Sequence, residues 1–480
     1  MEKYPTIQIL LNLPQKYIPK AEFVLRTYCS ILRLHPQFDY GRRREGVHLY
    51  YGSQTGQEYP IKIYFNEETA DFFDRLELYP LNKVNFYSYR NEYIPFLFSQ
   101  SGPIFSFGPQ NVIFRKDIIA SGFYFLSCWH EYILSLRGES NPRVDFRQSL
   151  QYRWDFIDIP VIDVYCQMLW YAMGISLPQF IREIDWDGDK RFSISISHDI
   201  DYWNYWIGKQ KIDNLLYNLR TWYKRPINAT YKIIGHTFHK NLIHNPRRQL
   251  HWIKSKEEKL GVKSTWFLFG KDDFDDERRN YIGNPEIRDT LLELLQDQEV
   301  GLHGSPEAAF DVNVLLSELH RLQNAGFEVK GYRSHYLYFD YQKSFKILEQ
   351  AGIQYDSTLG YWESIGFRAG ISFPFYPFNI EENRPFHILE IPLIVMDTTL
   401  YSNKAMNLTP ATALRKLKRM VKNAERYQSH LSLLWHKVNF DPIDFPFWGN
   451  VYWAILRYAR KKNGWITTLN DIYNEWITLS

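Results

Sequence analysis

The sequence predicts an α/β protein in two parts: a smaller mixed α+β domain over residues 1–185, then repeated strand and helix units over residues 186–480. Its 480 residues exceed the length of one ordinary domain. A polar stretch over residues 183–191 separates two kinds of pattern. After it, short apolar runs alternate with helical segments, which is typical of either an α/β barrel or a layered parallel sheet.

The first part combines strand-like and helix-like patterns. Residues 7–13 and 62–65 are predicted strands separated by turns that contain Pro and Gly. Residues 117–136 and 160–173 are predicted helices, apolar enough to be largely buried. The pattern contains no recognisable catalytic cluster, so its role stays unassigned.

The second part alternates strands with helices. The predicted strands cover residues 192–197, 264–269, 300–303, 331–333, 388–391, 431–435 and 465–467. The predicted helices cover residues 285–298, 311–325, 341–351, 409–428 and 446–462. Residues 202–260, rich in Trp, Tyr, Lys and Arg, are predicted to be an insertion. A helical excursion is favoured there over a lid, a partner surface or a membrane-facing patch.

Composition excludes several classes of protein. The chain is 45% hydrophobic and 23% charged, as expected of a globular protein with a full core. Its net charge of +3 gives no sign of a nucleic-acid partner. We find no secretory signal and no apolar run of about 20 residues, so we expect a cytoplasmic protein without a membrane span. The widely spaced Cys29, Cys128 and Cys166 indicate neither a zinc cluster nor a disulfide framework.

The run over residues 193–201 is the most informative segment. Isoleucine alternates there with small polar side chains, so Asp199 and Asp201 share one face of a strand. His198 falls on the isoleucine face, which favours a structural role for it. Two carboxylates at the end of such a strand suggest the inside of a site. An edge strand with a solvated polar face is the alternative.

Other ligand-type residues follow predicted strands in the same way. The set consists of Asp199, Asp201, His303, Arg333, His335, Asp356 and His436. Active sites of α/β barrels lie at the carboxyl ends of the strands, so the order of these residues along the chain indicates one site.

In this order the residues resemble the motifs of the polysaccharide deacetylases of carbohydrate esterase family 4, over roughly residues 190–480. The matching segments are Asp199-Ile200-Asp201, residues 303–307, residues 333–336, Asp356 and Leu434-Trp435-His436. The resemblance implies a deformed (β/α) barrel of the polysaccharide deacetylase type. It also implies a carbohydrate substrate and metal-dependent removal of an acetyl group from an N-acetylated sugar or polysaccharide precursor. Residues 1–185 resemble an uncharacterised domain often found ahead of such barrels, most clearly over residues 120–132.

The resemblance assigns a role to each matching residue. Asp199 is implied to be the general base, and Arg333 to position it. Asp201 and His303 are implied to hold a divalent metal ion, with zinc the expected one. His436 is implied to protonate the leaving amine, with support from Asp356.

Two positions depart from the family pattern. Glu307 replaces the second histidine of the second motif and is either a metal ligand or a charge at the start of a helix. His335 replaces a proline in the third motif and is either a substitute ligand, a substrate-binding group or a packed histidine. These departures leave two alternatives: a catalytically degenerate barrel acting as a carbohydrate-binding or regulatory protein, and a metal-dependent hydrolase of another carbon–nitrogen or ester bond.

Two further residues lie outside the family motifs. Arg368 stands between Gly366 and Gly370, in a loop suited either to binding an anionic or hydroxyl-rich group or to a tight turn with a solvated arginine. The second interpretation is favoured. Asp397 is a weaker candidate for the site, since it is equally suited to cap the segment that follows it.

Overall fold

A computed structural model describes residues 4–41, 45–80, 83–90, 92–98, 102–139, 141, 143–181, 185–204, 216, 230, 232, 234 and 245–478. Within these residues, the chain forms two large sheets, one on each side of residue 185. In this part of the chain every helix is too short or too polar to cross a bilayer.

The first sheet has six strands. Their spatial order is His35–Tyr40, Thr6–Asn12, Leu49–Gly52, Ile61–Tyr64, Val112–Phe114 and Phe105–Phe107. All neighbours are parallel except the last pair, so this region has a mostly parallel sheet where a mixed α+β arrangement was expected. A separate hairpin joins Asn85–Tyr89 to Glu92–Phe96. The helices are Ile18–Ile31, Glu67–Asp74, Ile118–Leu126, Trp129–Leu136, Leu150–Arg153 and Val161–Ser176.

One helix prediction in this region needs correction. Residues 117–136 form two helices, because Cys128 adopts a left-handed conformation with φ of 45° between them. Asp117 caps the first of the two, where its side chain accepts hydrogen bonds from the backbone N–H groups of Ile119 and Ala120.

The second sheet has nine parallel strands, eight of which follow one another in a curled half-barrel. Their spatial order is Leu389–Glu390, Tyr355–Asp356, Val329–Ser334, Glu299–Gly304, Thr265–Phe269, Phe192–Asp199, His430–Leu434 and Val395–Met396. Gly464–Thr467 pairs with the first half of Phe192–Asp199. The helices are Pro246–Lys259, Pro285–Leu295, Val312–Asn324, Tyr341–Gln350, Asp397–Tyr401, Pro410–Tyr427, Trp448–Lys461 and Leu469–Ile477. This architecture agrees with the predicted (β/α) barrel at the level of the parallel, curled sheet.

Phe192–Asp199 lies in the middle of this sheet, and all eight of its residues are buried. The edge-strand interpretation is therefore wrong. The polar face of the strand is not solvated: the hydroxyl groups of Ser193 and Ser195 bond to the two ring nitrogens of His430, and Ser197 donates to the carbonyl oxygen of Leu433. Each of these three buried serine hydroxyl groups thus has a partner, as burial requires.

The two sheet regions share a packed interface that contains Arg368. Its Nε and Nη2 donate to the carboxylate of Glu131 at 2.9 and 2.7 Å, and the arginine side chain is 1% exposed. The prediction of a tight turn with a solvated arginine is therefore wrong. The anionic group that Arg368 binds is the carboxylate of Glu131 in the same chain. Trp186, in the predicted polar linker, is also fully buried and stacks on Trp476.

The insertion over residues 202–260 is described at its two ends. Residues 205–244 lie outside the described residues apart from positions 216, 230, 232 and 234. The described end contains the helix Pro246–Lys259, with Asn245 as its N-cap. Its buried residue Glu257 accepts a hydrogen bond from His198 in the barrel.

Candidate metal centre

The carboxyl ends of three strands of the curled sheet bring the predicted ligands together, with the strand Thr265–Phe269 lying between two of them. Asp199 ends the strand Phe192–Asp199, and Asp201 follows it by two residues. His303 lies in Glu299–Gly304, and His335 comes directly after Val329–Ser334. Because all of these strands are parallel, their carboxyl ends meet at one edge of the sheet.

Asp201, His303 and His335 form a candidate metal triad. Each offers one ligand atom, and the three atoms all lie within 4.8 Å of one another. Oδ1 of Asp201 is 3.2 Å from Nε2 of His303 and 3.8 Å from Nε2 of His335. Ligand atoms around a tetrahedral zinc ion are about 3.4 Å apart, given bonds of about 2.0–2.2 Å. The triad therefore fits a divalent ion with little rearrangement.

His303 is already oriented as a ligand. Its Nδ1 lies 3.0 Å from the carbonyl oxygen of Arg333, so Nδ1 carries the hydrogen and donates it. Nε2 faces Oδ1 of Asp201 at 3.2 Å, and an ion bound between them would take the place of the hydrogen that Nε2 donates to this carboxylate. A backbone carbonyl on the far nitrogen is the usual way to fix the tautomer of a metal-binding histidine.

His335 differs from His303 in the partner of its Nδ1, which is a donor and not an acceptor. Burial lowers the pKa of His335 well below its usual value and outweighs the attraction of Asp201, so the ring is neutral, as a metal ligand must be. However, its Nδ1 lies 3.4 Å from Nη1 of Arg279, which is a donor. Binding a cation through Nε2 requires the hydrogen to sit on Nδ1, and that tautomer ends the hydrogen bond from Arg279.

Arg333 fixes the orientation of Asp199. The arginine is fully buried, and its Nη1 donates to Oδ1 of Asp199 at 3.0 Å and to the hydroxyl of Ser197 at 2.7 Å. The other oxygen of Asp199, Oδ2, is 3.8 Å from Nε2 of His303. One carboxylate oxygen is therefore held by the arginine, while the other adjoins the triad.

His436 adjoins the triad through the other oxygen of Asp201. Its Nε2 is 3.8 Å from Oδ2 of Asp201, and its Nδ1 donates to Oδ1 of Asp397 at 2.7 Å. Burial opposes protonation of this ring, but the carboxylates of Asp397, Asp201 and Asp199 outweigh it and raise the pKa of His436 to about 10. His436 is thus a proton donor at neutral pH.

Asp201 stays ionised in this environment. Burial opposes its ionisation, but the hydrogen bond from His303 and the positive charge of protonated His436 hold the pKa of Asp201 below its usual range. A carboxylate that is ionised and 23% exposed is suited to meet a cation arriving from solvent.

Two predicted site residues lie elsewhere. Among the described residues, Asp356 has no contact with His436. It accepts hydrogen bonds from Thr358 and faces Glu390 on the next strand. Glu307 does not join the triad, because its side chain is 58% exposed and pairs with Lys271 at 3.6 Å. Residues 306–310 form turns, so Glu307 does not start a helix either.

His198 lies apart from the triad, on the isoleucine face. Its Nε2 is 2.9 Å from Oε1 of Glu257, and its Nδ1 is 2.6 Å from the carbonyl oxygen of Trp435. The partner of His436 is Asp397, which the sequence suggested only weakly. The signal was present, since Asp397 directly follows the strand Val395–Met396, as the other site residues follow theirs.

The fold and the site together define a curled parallel half-barrel with a candidate metal triad at the carboxyl ends of its strands. The family described as "Family of unknown function (DUF7033)" matches residues 9–178. This match agrees with the expectation of an uncharacterised domain ahead of the barrel. No curated protein matches the chain.

Replacement of the triad histidines should remove the bound metal. We expect His303→Ala and His335→Ala each to lower the zinc content of dialysed protein from about one equivalent to near zero, because each variant leaves two ligands. Inductively coupled plasma mass spectrometry measures this. His320→Ala, an exposed histidine on the helix Val312–Asn324, is the matched control and should retain its zinc. Equal zinc content in all three variants would show that the ion binds elsewhere.

The charge state of His436 provides a second test. In protein freed of metal, the ring should stay protonated until the pH approaches about 10, whereas in Asp397→Asn it should lose its proton at lower pH. The folded pKa exceeds the unfolded value of about 6.5, so this pairing stabilises the fold in full below about pH 6.5 and the contribution is lost as pH rises through about 10. Proton–carbon correlation spectra of the ring follow the titration.

Asp356→Asn is the control for that titration. Because Asp356 does not contact His436, its replacement should leave the titration of His436 where it is in the unaltered protein. If Asp356→Asn shifted the titration and Asp397→Asn did not, the original assignment of Asp356 as the supporting acid would be restored.

Proposed function

We propose that this chain is a metal-dependent hydrolase that removes an acetyl group from an N-acetylated sugar or a polysaccharide precursor. One observation carries the proposal: Asp201, His303 and His335 converge, with Asp199 beside His303 and His436 beside the far oxygen of Asp201. Hydrolysis of an amide needs a base for water and an acid for the departing nitrogen. The two flanking groups suit those two tasks.

Asp199 is the general base in this proposal. A divalent ion held by the triad would polarise the acetyl carbonyl and acidify an attacking water. Asp199 takes the proton from that water through Oδ2, the oxygen that adjoins the triad. Arg333 holds Oδ1 and so keeps the carboxylate oriented with Oδ2 toward the triad while the proton moves.

His436 is the general acid. When the carbon–nitrogen bond breaks, the nitrogen leaves as a poor leaving group unless it is protonated. His436 gives up the proton on Nε2, and the products are the free amine of the sugar and acetate. Asp397 is a positioning residue, because it bonds to Nδ1 and to the backbone N–H of His436 and touches no reacting atom.

One observation favours the second candidate function, a degenerate barrel that binds carbohydrate or regulates without catalysis. The N–H of Arg279 directed at Nδ1 of His335 competes with the tautomer needed for metal binding. A hydrolase of another carbon–nitrogen or ester bond would use the same groups. Assays with different substrates distinguish it from a deacetylase.

Asp199→Asn should lower the rate of acetate release by about 10²- to 10⁴-fold, the usual contribution of a general base. The assay uses acetylated amino sugars and their oligomers with added zinc, cobalt or manganese. Glu307→Gln should retain the unaltered rate, since Glu307 is exposed and lies outside the triad.

Two results would contradict the proposal. If Asp199→Asn matches the unaltered protein on every substrate, Asp199 is not the base. If the metal-loaded protein releases no acetate from any substrate but binds the sugars, the degenerate barrel is the correct function.

A further inference from the structure

Arg279 lies beside the candidate metal centre and is held there by two tyrosines. It ends the short 3-10 turn Glu277–Arg279, which follows the strand Thr265–Phe269. Its Nη2 donates to the hydroxyl groups of Tyr202 and Tyr336, each at 2.8 Å. Its guanidinium carbon is 5.0 and 5.5 Å from the centres of those two rings. The side chain is therefore fixed before any ligand arrives.

Arg279 has no hydrogen-bonded or ion-paired carboxylate among the described residues: the nearby Asp276, whose pKa its charge helps to lower, is paired with Arg278 instead. Arg278, its neighbour, forms a two-point ion pair with Asp276 at 2.8 and 2.6 Å. Arg279 has only neutral phenols and the His335 ring as hydrogen-bond partners, and its buried Nε has none in the described part of the chain. A pre-positioned arginine with open donors suits a carboxylate or phosphate.

The net charge of the candidate metal site, once it holds an ion, also favours an anion beside Arg279. Arg333 pairs with Asp199, which leaves Asp201 and Asp397 as the carboxylates of the site without a guanidinium partner. A divalent ion and Arg279 together exceed those two negative charges even when His436 is neutral. The site with its ion is therefore positive beside Arg279, and a negative group is attracted to it.

His335 connects Arg279 with the candidate metal site, because one of its ring nitrogens faces the site and the other faces Arg279. When Nε2 of His335 binds an ion, its Nδ1 carries a hydrogen and faces Nη1 of Arg279 across 3.4 Å. Two donors that face each other need a shared acceptor. A negatively charged oxygen beside both nitrogens accepts from each, and it also removes the competition between Arg279 and metal binding.

We propose that Arg279 and Nδ1 of His335 bind an anionic group of the substrate, so that the substrate is an acidic N-acetylated saccharide carrying a carboxylate or a phosphate. This inference rests on the proposed function for the position of the scissile amide. The anionic group would lie one imidazole ring away from an ion bound at Nε2 of His335, on the side of Tyr202 and Tyr336. Arg279 is therefore the residue that selects charged over neutral sugars.

The test compares three sugars: N-acetylglucosamine, which is neutral, N-acetylglucosamine 6-phosphate, and N-acetylmuramic acid, which carries a carboxylate. Binding is measured by isothermal titration calorimetry on zinc-loaded Asp199→Asn protein, so that turnover does not interfere. At least one charged sugar should bind about tenfold or more tightly than the neutral one. Which charged sugar binds identifies phosphate or carboxylate as the source of the anion.

Added to that protein, Arg279→Ala should reduce the preference for the charged sugar by about 10- to 100-fold, the effect of losing one charge-assisted contact. Arg279→Lys should retain part of it, since a lysine keeps the charge and loses the planar donors. Arg288→Ala, which removes an arginine paired with Asp289 on the helix Pro285–Leu295, is the matched control and should bind as the parent does. Steady-state rates of acetate release from the same sugars, without the Asp199 change, repeat the comparison.

The outcomes separate this inference from the hydrolase proposal. Equal affinities for charged and neutral sugars, or an unchanged preference in Arg279→Ala, would overturn the anion site even if acetate is released. Binding of a charged sugar that depends on Arg279, without acetate release from any substrate, would support the anion site and contradict the hydrolase.

Discussion

Parallel pairing around one central strand is the constraint on which the site depends. Phe192–Asp199 is buried along its whole length and pairs with His430–Leu434 on one side and Thr265–Phe269 on the other. Because these strands run in one direction, Asp199, His303 and His436 arrive at one edge of the sheet from distant parts of the chain. A one-residue slip of the central strand would turn both carboxylates toward the helices that cover it.

Three carboxylates meet at that edge, and each has different bonding partners. Asp199 is bound by the buried guanidinium of Arg333, and Asp397 is bound by His436 and Asn439. Among the described residues, the ion-pair partners of Asp201 are histidines only. The third carboxylate is thus left for a cation. The same arrangement separates the proposed base from the proposed acid: Arg333 orients Asp199, whereas Asp397 raises the pKa of His436 and so keeps its proton in place.

The buried strands and the candidate residues at their ends could largely be predicted from sequence, because apolar runs indicate buried strands. The alternation over residues 193–201 separated Asp199 and Asp201 from His198, and the structure has them on different faces. Spatial order was harder to predict. Asp356 ends one short strand and Asp397 follows another. The strand before Asp397 pairs with His430–Leu434, whereas the strand of Asp356 lies toward the opposite edge of the sheet. Only the sheet order decides which acid meets His436.

Residues outside regular elements were the least predictable. Arg368 and Arg279 both lie in loops or turns, where no periodicity shows which way a side chain points. One pairs with Glu131 in the interface between the two regions, and the other packs between Tyr202 and Tyr336 beside the triad. Their partners are more than 50 residues away along the chain, so local sequence contains no sign of them.

X-ray absorption at the zinc K edge of zinc-loaded protein tests the central claim most directly, because it counts the imidazole ligands of the ion. The triad predicts two imidazole rings, from His303 and His335, with Zn–N distances of about 2.0–2.1 Å and oxygen ligands completing the shell. His335→Ala should reduce the count to one in any protein that still retains zinc. A spectrum of the unaltered protein that fits with one imidazole or none would contradict the assignment of the triad.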